Sequence, residues 1–518
     1  MRTDRAQRWV LALTSVASLM VSLDTQVVAT ALPVIRLRLH ASLAALEWTV
    51  NAYTLSFGVL LLTGAALGER LGRRRMLAVG TGLFCAASAA CALSTDAGAL
   101  VAARAVQGAG AALMLPLALS LLTAAFPPER RAWAIGIFSS VTGLGVMGGP
   151  VIGGAVAQAI AWPWIFWLNV PIGLVMIPLV LTRIPAGAGR RATLDPVGLL
   201  LATGSALGLV WALIRANGVG WASKEIVATL AIGLLLGGAF VAWELRAAKP
   251  MVPMRLFRSR AFAAGNAAGF CMFAVLFGLV FFMAQFLQTG LGFSPLSAGL
   301  RLLPGWAMLA VIAPLAGSLA GRVGTRPLIS GGLAAAAVGL AWIALIARTG
   351  LPYWQLVPPL FVAGAGVSFA VPATQGAAMT AVPSAEIGPA SGTFNTLRQL
   401  GGVFGVAIGA AVFAAHGGYS SPAAFVAGFG PAMGACSGLA VAGAVAGLLV
   451  PGRRSAPAAP TMAPAAAPAA APAAADEQRR TEGARSGPLR AVLPDDAGSA
   501  RGLCHGLAGP LSHALARA

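Results

Sequence analysis

Between Trp9 and Val450 the chain is a succession of apolar runs of roughly twenty residues, with most of the charge confined to the short breaks between them. Runs of that length match the hydrocarbon layer of a bilayer, which an α-helix crosses in about 20 residues. Inside that layer each backbone N–H and C=O has to be satisfied within the chain, so the runs predict an all-α integral membrane fold. Fourteen transmembrane helices are expected, at 9–33, 46–68, 76–94, 99–121, 132–157, 164–182, 196–214, 224–245, 262–288, 296–320, 327–347, 354–378, 389–415 and 429–451. Only 10% of the 518 residues are charged, against about 25% in soluble domains, which excludes a soluble globular class.

The net charge of +20 does not point to nucleic acid, because the arginines fall in bursts at the loops rather than on one face. An even number of spans puts both termini on one side. With that side inside, 21 Lys/Arg lie on cytoplasmic segments and five (Arg36, Arg38, Arg215, Lys224, Arg348) on outer loops. Such a bias predicts both termini cytoplasmic. The first apolar run has no small-residue cleavage site and reads as a retained helix. Beyond Gly452 the composition turns to Ala and Pro and then to scattered charge, and 452–518 is expected to be a disordered cytoplasmic tail.

The chain also repeats itself. Residues 65–74 recur in outline 252 positions later as 317–326, and Gly108, Gly110 and Pro116 recur 256 later as Gly364, Gly366 and Pro372. Gly145, Gly149 and Gly153 recur at the same offset as Gly401, Gly405 and Gly409. The copies run in one sense, so the repeat is parallel and relates two six-helix halves. The expected organisation is a bundle over 1–185, an inserted helix pair over 186–255 and a second bundle over 256–451.

Against this apolar background a few residues stand out. Asp24 lies inside the first span, where a carboxylate costs about 2.5–3.5 kcal/mol to insert. Two readings stand: a functional ionisable group, or a packing aspartate neutralised by a neighbouring helix. Arg104 is a second charge, in the fourth span. At about 1.5 Å per residue it lies roughly 8 Å from the outer end of its helix and Asp24 roughly 13 Å from the outer end of its own, within reach of a long side chain. Arg104 either tunes the charge on Asp24 or snorkels to the outer interface.

The loop Glu69, Arg70, Leu71, Gly72, Arg73, Arg74 is dense in charge. It serves as a positive-inside anchor, and Glu69 among arginines with a turn at Gly72 also suits a clamp that holds helix ends in one conformation. In the fifth span Gly145, Gly149 and Gly153 line one face for close helix approach, Pro150 is expected to bend the helix, and Gly154 follows. The G-x-G-x-x-G match there has no preceding strand and carries no nucleotide reading. No G-x-x-x-x-G-K-[ST] occurs, and His40, His416, His505 and His513 form no cluster with the five cysteines, so neither ATP hydrolysis, a metal site nor catalysis is indicated. In the second half Leu276, Leu360 and Val406 stand where Asp24, Arg104 and Pro150 would be.

Together these stretches resemble the major facilitator superfamily, and within it the fourteen-span drug:proton antiporters, over nearly all of 9–451. Residues 23–33 look like the first-helix motif, whose aspartate the resemblance associates with proton coupling. Residues 65–74 look like the cytoplasmic gating-loop signature, departing at Ala65, where glycine is usual, and at Glu69, where aspartate is usual. Arg104, Gln107, Gly108 and Gly110 look like the fourth-helix motif linked to proton transfer. Residues 145–154 look like the fifth-helix antiporter motif, which implies export, and 164–171 fit the same branch apart from Pro163.

The resemblance implies a major facilitator fold of two six-helix bundles plus two inserted helices, with no cofactor and a proton gradient as the energy source. The expected function is proton-coupled export of hydrophobic or amphipathic small molecules, by a monomer in the cytoplasmic membrane of a bacterium. Its partners are the small-molecule substrate, protons and the lipid bilayer. Asp24 would carry the proton, with Glu47 and Glu244 as the other carboxylates to weigh. The rival readings are an exporter dedicated to one metabolite, peptide, lipid or siderophore, and a membrane sensor built on the same fold.

Overall fold

The structure, a computed structural model, describes residues 2–185, 194–248, 250–383 and 386–452. The expected tail lies outside these residues from 453 onward, as does 186–193 of the expected insert. No strand occurs among the described residues. Fifteen α-helices follow one another among the described residues: α1 Arg2–Leu39, α2 Leu43–Leu71, α3 Arg73–Ala92, α4 Ala97–Ala125, α5 Pro128–Ala159, α6 Trp164–Trp167, α7 Asn169–Arg183, α8 Pro196–Val219, α9 Lys224–Arg246, α10 Arg260–Gln285, α11 Pro295–Val323, α12 Thr325–Ile346, α13 Tyr353–Thr380, α14 Ile387–His416 and α15 Pro422–Leu448.

Polar caps start many of them. Ser42, Asp96, Asp195, Ser223, Ser259, Ser294 and Ser421 each accept a hydrogen bond from the backbone N–H three residues on, which satisfies a donor that the helix cannot. Thirteen helices among the described residues are long and apolar enough to cross a membrane, with α6 and α7 together counting as one. The tenth expected span, 296–320, is helical as α11, which stands outside those thirteen.

Several helix ends lie outside the expected spans, α15 beginning at Pro422 against the expected 429, and two departures involve prolines. The first span was expected to end at Pro33, yet α1 runs on to Leu39 with Pro33 inside it. A proline removes one helical hydrogen bond, and tertiary packing overrides that loss here. Arg36 and Arg38 therefore occupy the last turn of α1 rather than a loop. The span expected at 164–182 is broken at Leu168. Pro171, three residues on, has no N–H to offer the carbonyl of Trp167, so α6 cannot run smoothly into α7.

Packing follows the repeat. In the first half α1 lies on α5, α2 on α4, and α3 on α4 and α7; in the second, α10 lies on α14, α11 on α13, and α12 on α13 and α15. The glycines show why. A Cβ at Gly110 would lie 2.7 Å from Phe84 N of α3, and one at Gly366 would lie 2.5 Å from Ala336 N of α12, the same contact 252–256 positions on. The halves meet where α5 packs on α11 and α2 on α14, and α8 and α9 pair with each other, α8 also touching α14 and α2.

Candidate functional site

The site begins with the way small residues bring four helices around Asp24. Gly108 sits against the Tyr53 carbonyl of α2 and Gly110 against the backbone of Phe84 on α3, so α4 is drawn close to both. On the other side Gly145, Gly149 and Gly153 of α5 face Leu19, Gln26, Val27 and Thr30 of α1. A Cβ at Gly153 would lie 2.6 Å from the Val27 carbonyl oxygen, which no side chain tolerates without a shift.

Asp24 and Arg104 are each 1% exposed, and Arg104 Nη1 lies 2.5 Å from Asp24 Oδ2. The other carboxylate oxygen accepts from Gln107 Nε2 at 2.8 Å and from Asn169 Nδ2 at 3.1 Å. Gln107 and Asn169 both donate onward to Ser88 Oγ, at 2.7 and 3.3 Å. A buried carboxylate so placed has charge-assisted donors on both oxygens, drawn from α4 and α7. Arg104 has further holds of its own: Nε donates to the Thr49 carbonyl at 3.1 Å, Nη1 to Gln107 Oε1 at 2.7 Å, and the guanidinium lies 4.1 Å from the centre of the Tyr53 ring. Loss of the charge on Asp24 would therefore weaken one contact without freeing the arginine.

The charged loop forms a second, separate arrangement. Gly72, with φ 98°, ends α2 and starts α3, a backbone shape that favours glycine. Arg73 Nε bonds Glu69 Oε1 at 2.6 Å and Arg73 Nη1 reaches the Ser120 carbonyl of α4 at 3.4 Å. Arg74 Nη1 bonds the carbonyl of Ile184 just beyond α7 at 3.0 Å, while Arg70 is exposed. The loop thus ties the ends of α2, α3, α4 and α7 together.

Pro150 and Gly154 face the other half. A Cβ at Gly154 would lie 2.9 Å from Leu296 Cα of α11, and one at Gly299 of α11 would lie 2.8 Å from the Pro150 carbonyl carbon. Farther along that face of α5, two and four turns back, Gly143 and Gly136 have nothing within 4 Å, and the same is true of Gly317 and Gly321 on α11. These two helices touch at one end and stand apart at the other.

Three residues of the site, and Arg398 outside it, were not singled out from the sequence. Ser88 carries no signal among the small residues of α3. Asn169 is the lone amide of its span and sits beside Pro171. Tyr53 reads as an ordinary aromatic core residue. Arg398, in the interior of α14, had the same signal as Arg104, a charge deep in an apolar run. Of the other carboxylates, Glu47 is buried with Oε2 unpartnered, and Glu244 accepts from the Val252 N–H at 2.9 Å, far along the chain from the Asp24 network.

The chain is 36% identical over 408 residues to the tetracenomycin C resistance and export protein of Streptomyces glaucescens, covering 78% of this chain and 76% of the relative. It is 34% identical over 417 residues to the multidrug resistance protein Stp of Mycobacterium tuberculosis, covering 80% and 77%. Among solved structures, a bacterial homologue of the human lysosomal transporter Spinster, inward-facing and unoccupied, superposes with a TM-score of 0.62 at 18% identity, over 86% of this chain and 97% of that one. A POT family transporter in complex with a thioalcohol-conjugated peptide gives 0.64 at 15% identity, over 84% and 94%. The signature described as Major Facilitator Superfamily matches residues 14–406, and the chain belongs to that superfamily, as a multi-pass membrane transporter and not an enzyme.

Proposed function

We propose that this transporter is a proton-coupled antiporter that exports hydrophobic or amphipathic small molecules by alternating access. The observation that carries the reading is the Asp24 network: a carboxylate buried in mid-bundle, paired with Arg104 and held by Gln107 and Asn169. An ionisable group inside a membrane bundle is the kind that carries protons in transporters, and protonation of Asp24 would remove the attraction that draws Arg104 to α1. Arg104, still tied to α2 and Gln107, tunes that step. Proton entry is thereby linked to the packing of α1 against α4, and through the glycine face to α5. The relatives' names support export: one is a resistance and export protein, another a multidrug resistance protein.

In this reading 1–185 and 256–451 rock as two bundles, with 186–255 as an inserted pair and 452–518 as a cytoplasmic tail. The Glu69–Arg73 and Arg74–Ile184 ties hold the cytoplasmic ends of one bundle in the present conformation, and release when the other conformation forms. The arginine bias of the loops supports both termini inside a bacterial cytoplasmic membrane, which makes the separated ends of α5 and α11 cytoplasmic and the state inward-open. The transporter works as a monomer and needs no cofactor beyond the proton gradient.

Pumps dedicated to one compound are a second reading, because two relatives carry the names of single compounds, tetracenomycin C and actinorhodin. The test is pH-gradient-driven uptake of a cationic dye into proteoliposomes, parent against Asp24→Asn. Dye accumulation by the parent, lost in Asp24→Asn while dye binding persists, is the expected result. Equal accumulation by the variant would move the proton to another carboxylate, Glu47 first. A parent that moves no dye under any gradient would favour the dedicated exporter.

A further inference from the structure

The second half holds an apolar cleft between α10, α11 and α13, lined by Leu276, Met283, Trp306, Leu360 and Val371 among others. The single hydroxyl among the lining residues, Ser368, is turned away to donate to the Gly364 carbonyl at 2.6 Å. Leu276 and Leu360 are the repeat mates of Asp24 and Arg104, so the pocket occupies the place that the charged network fills in the first half.

On α10, Leu276, Val280 and Met283 line the pocket at helical spacing, and Phe273 lies on the same stripe one turn before them. The guanidinium of Arg398, on α14, rests on that ring, with Cζ 4.4 Å from the centroid of Phe273. Arg398 Nε is buried with no hydrogen-bond partner, and none of the ion pairs among the described residues includes Arg398. Arg104, by contrast, has a carboxylate, a carbonyl and an amide for its donors. A guanidinium kept inside a bilayer without an anion is costly, and the ring face returns only part of what its lost water supplied.

We propose that the pocket and Arg398 form one ligand subsite, which takes molecules with an apolar or aromatic body and a single anionic group. The body lies along Leu276, Val280 and Met283 against Trp306, and the anion meets Arg398 beside Phe273. From Phe273 to Met283 the stripe is about 15 Å long at about 1.5 Å per residue, the length of a few fused rings. The assignment rests on the exporter reading and narrows it to anionic amphiphiles, with the proton site in one half and the ligand's charge answered in the other.

The test uses the full chain in phosphatidylcholine proteoliposomes under an imposed pH gradient, with two probes of similar size: the anion 8-anilino-1-naphthalenesulfonate and the cation ethidium. The readout is the ratio of anion to cation uptake, which does not depend on how much of a variant folds. Arg398→Gln lowers that ratio at least tenfold, Arg398→Lys restores most of it, and Leu276→Trp, which fills the pocket, reduces uptake of the anion at least tenfold. An unchanged ratio in Arg398→Gln, or ethidium transport by the parent with no transport of the anion, would overturn this subsite alone. Transport of neither probe by the parent would overturn the broad-exporter reading on which it rests, in favour of a pump dedicated to one compound.

Discussion

The two halves share a skeleton and differ in what they do with its centre. Gly110 against α3 and Gly366 against α12, and the glycine faces of α5 on α1 and of α14 on α10, make the same contacts in each half. Yet where the first half buries Asp24, Ser88, Arg104 and Gln107, the repeat offsets put Leu276, Leu340, Leu360 and Ala363 in the second. Each of those eight residues is buried or nearly so, so solvent exposure does not explain the difference. Helix spacing is set by residues without side chains, and chemistry by a handful of positions that the spacing leaves free. A fold built in that way can place a charged network in one half and an apolar pocket in the other without changing how its helices pack.

The sharpest way to break the comparison is to erase the first half's charge and rebuild it in the second. Asp24→Asn is expected to reduce gradient-driven uptake at least 100-fold in proteoliposomes. It also leaves Arg104 without its anion, at a stability cost of about 3–5 kcal/mol that a melting curve of the purified protein reads. Adding Leu276→Asp and Leu360→Arg to that variant should restore no uptake, because Ala363 and Leu340 supply neither the amide donor of Gln107 nor the hydroxyl acceptor of Ser88. Restored coupling would mean that the pair alone suffices and the network around it does not matter.

Next in size is the joint between the halves. Gly154→Val puts three carbons where Pro295 and Leu296 already sit, and uptake should fall about tenfold or more, with dye binding retained; Gly143→Val, with open space around it, should stay within twofold. Gln107→Leu removes one donor from Asp24 and leaves Ser88 Oγ short of a partner, a loss of about 1–3 kcal/mol. Uptake should fall severalfold, and its dependence on pH should shift, which a packing role alone would not produce. The smallest effect is at the loop. The Glu69–Arg73 pair is about one-third exposed, so Arg73→Ala should cost no more than about 0.5 kcal/mol of stability while still slowing transport severalfold. Slowing without destabilisation is the mark of a gate; no slowing would reduce the loop to an anchor.

Much of this was legible in the sequence, for reasons that can be named. Apolar runs long enough to span a bilayer leave a helix no alternative, so the helices stand close to where hydropathy puts them. Pro33 misled, because a proline's local cost is small beside the packing of α1, and α1 continues six residues past it. The approach of Arg104 to Asp24 followed from helix rise alone, since both are measured from the same membrane surface. Asn169 and Ser88 were not legible as members of that network, because one amide and one hydroxyl in apolar spans have many possible uses and only the fold selects one. Arg398 was legible as Arg104 was, as a charge within an apolar run. The pocket beside it was not, since it is defined by side chains from three helices that sequence cannot bring together.

The contact of Gly154 with Pro295 and of Gly299 with Pro150 also sets a mechanical scale. From Pro150 back to Pro128, α5 is a lever of about 33 Å at about 1.5 Å per residue, and the joint is its fulcrum. A rigid rotation of about 15°, the size seen for subunits that switch as bodies, sweeps the far end through about 9 Å. That opening is narrower than the roughly 10–12 Å of a helix with its side chains. In the exporter reading, a joint of that kind would pass flat ring systems edge-on more readily than a body as wide as a helix.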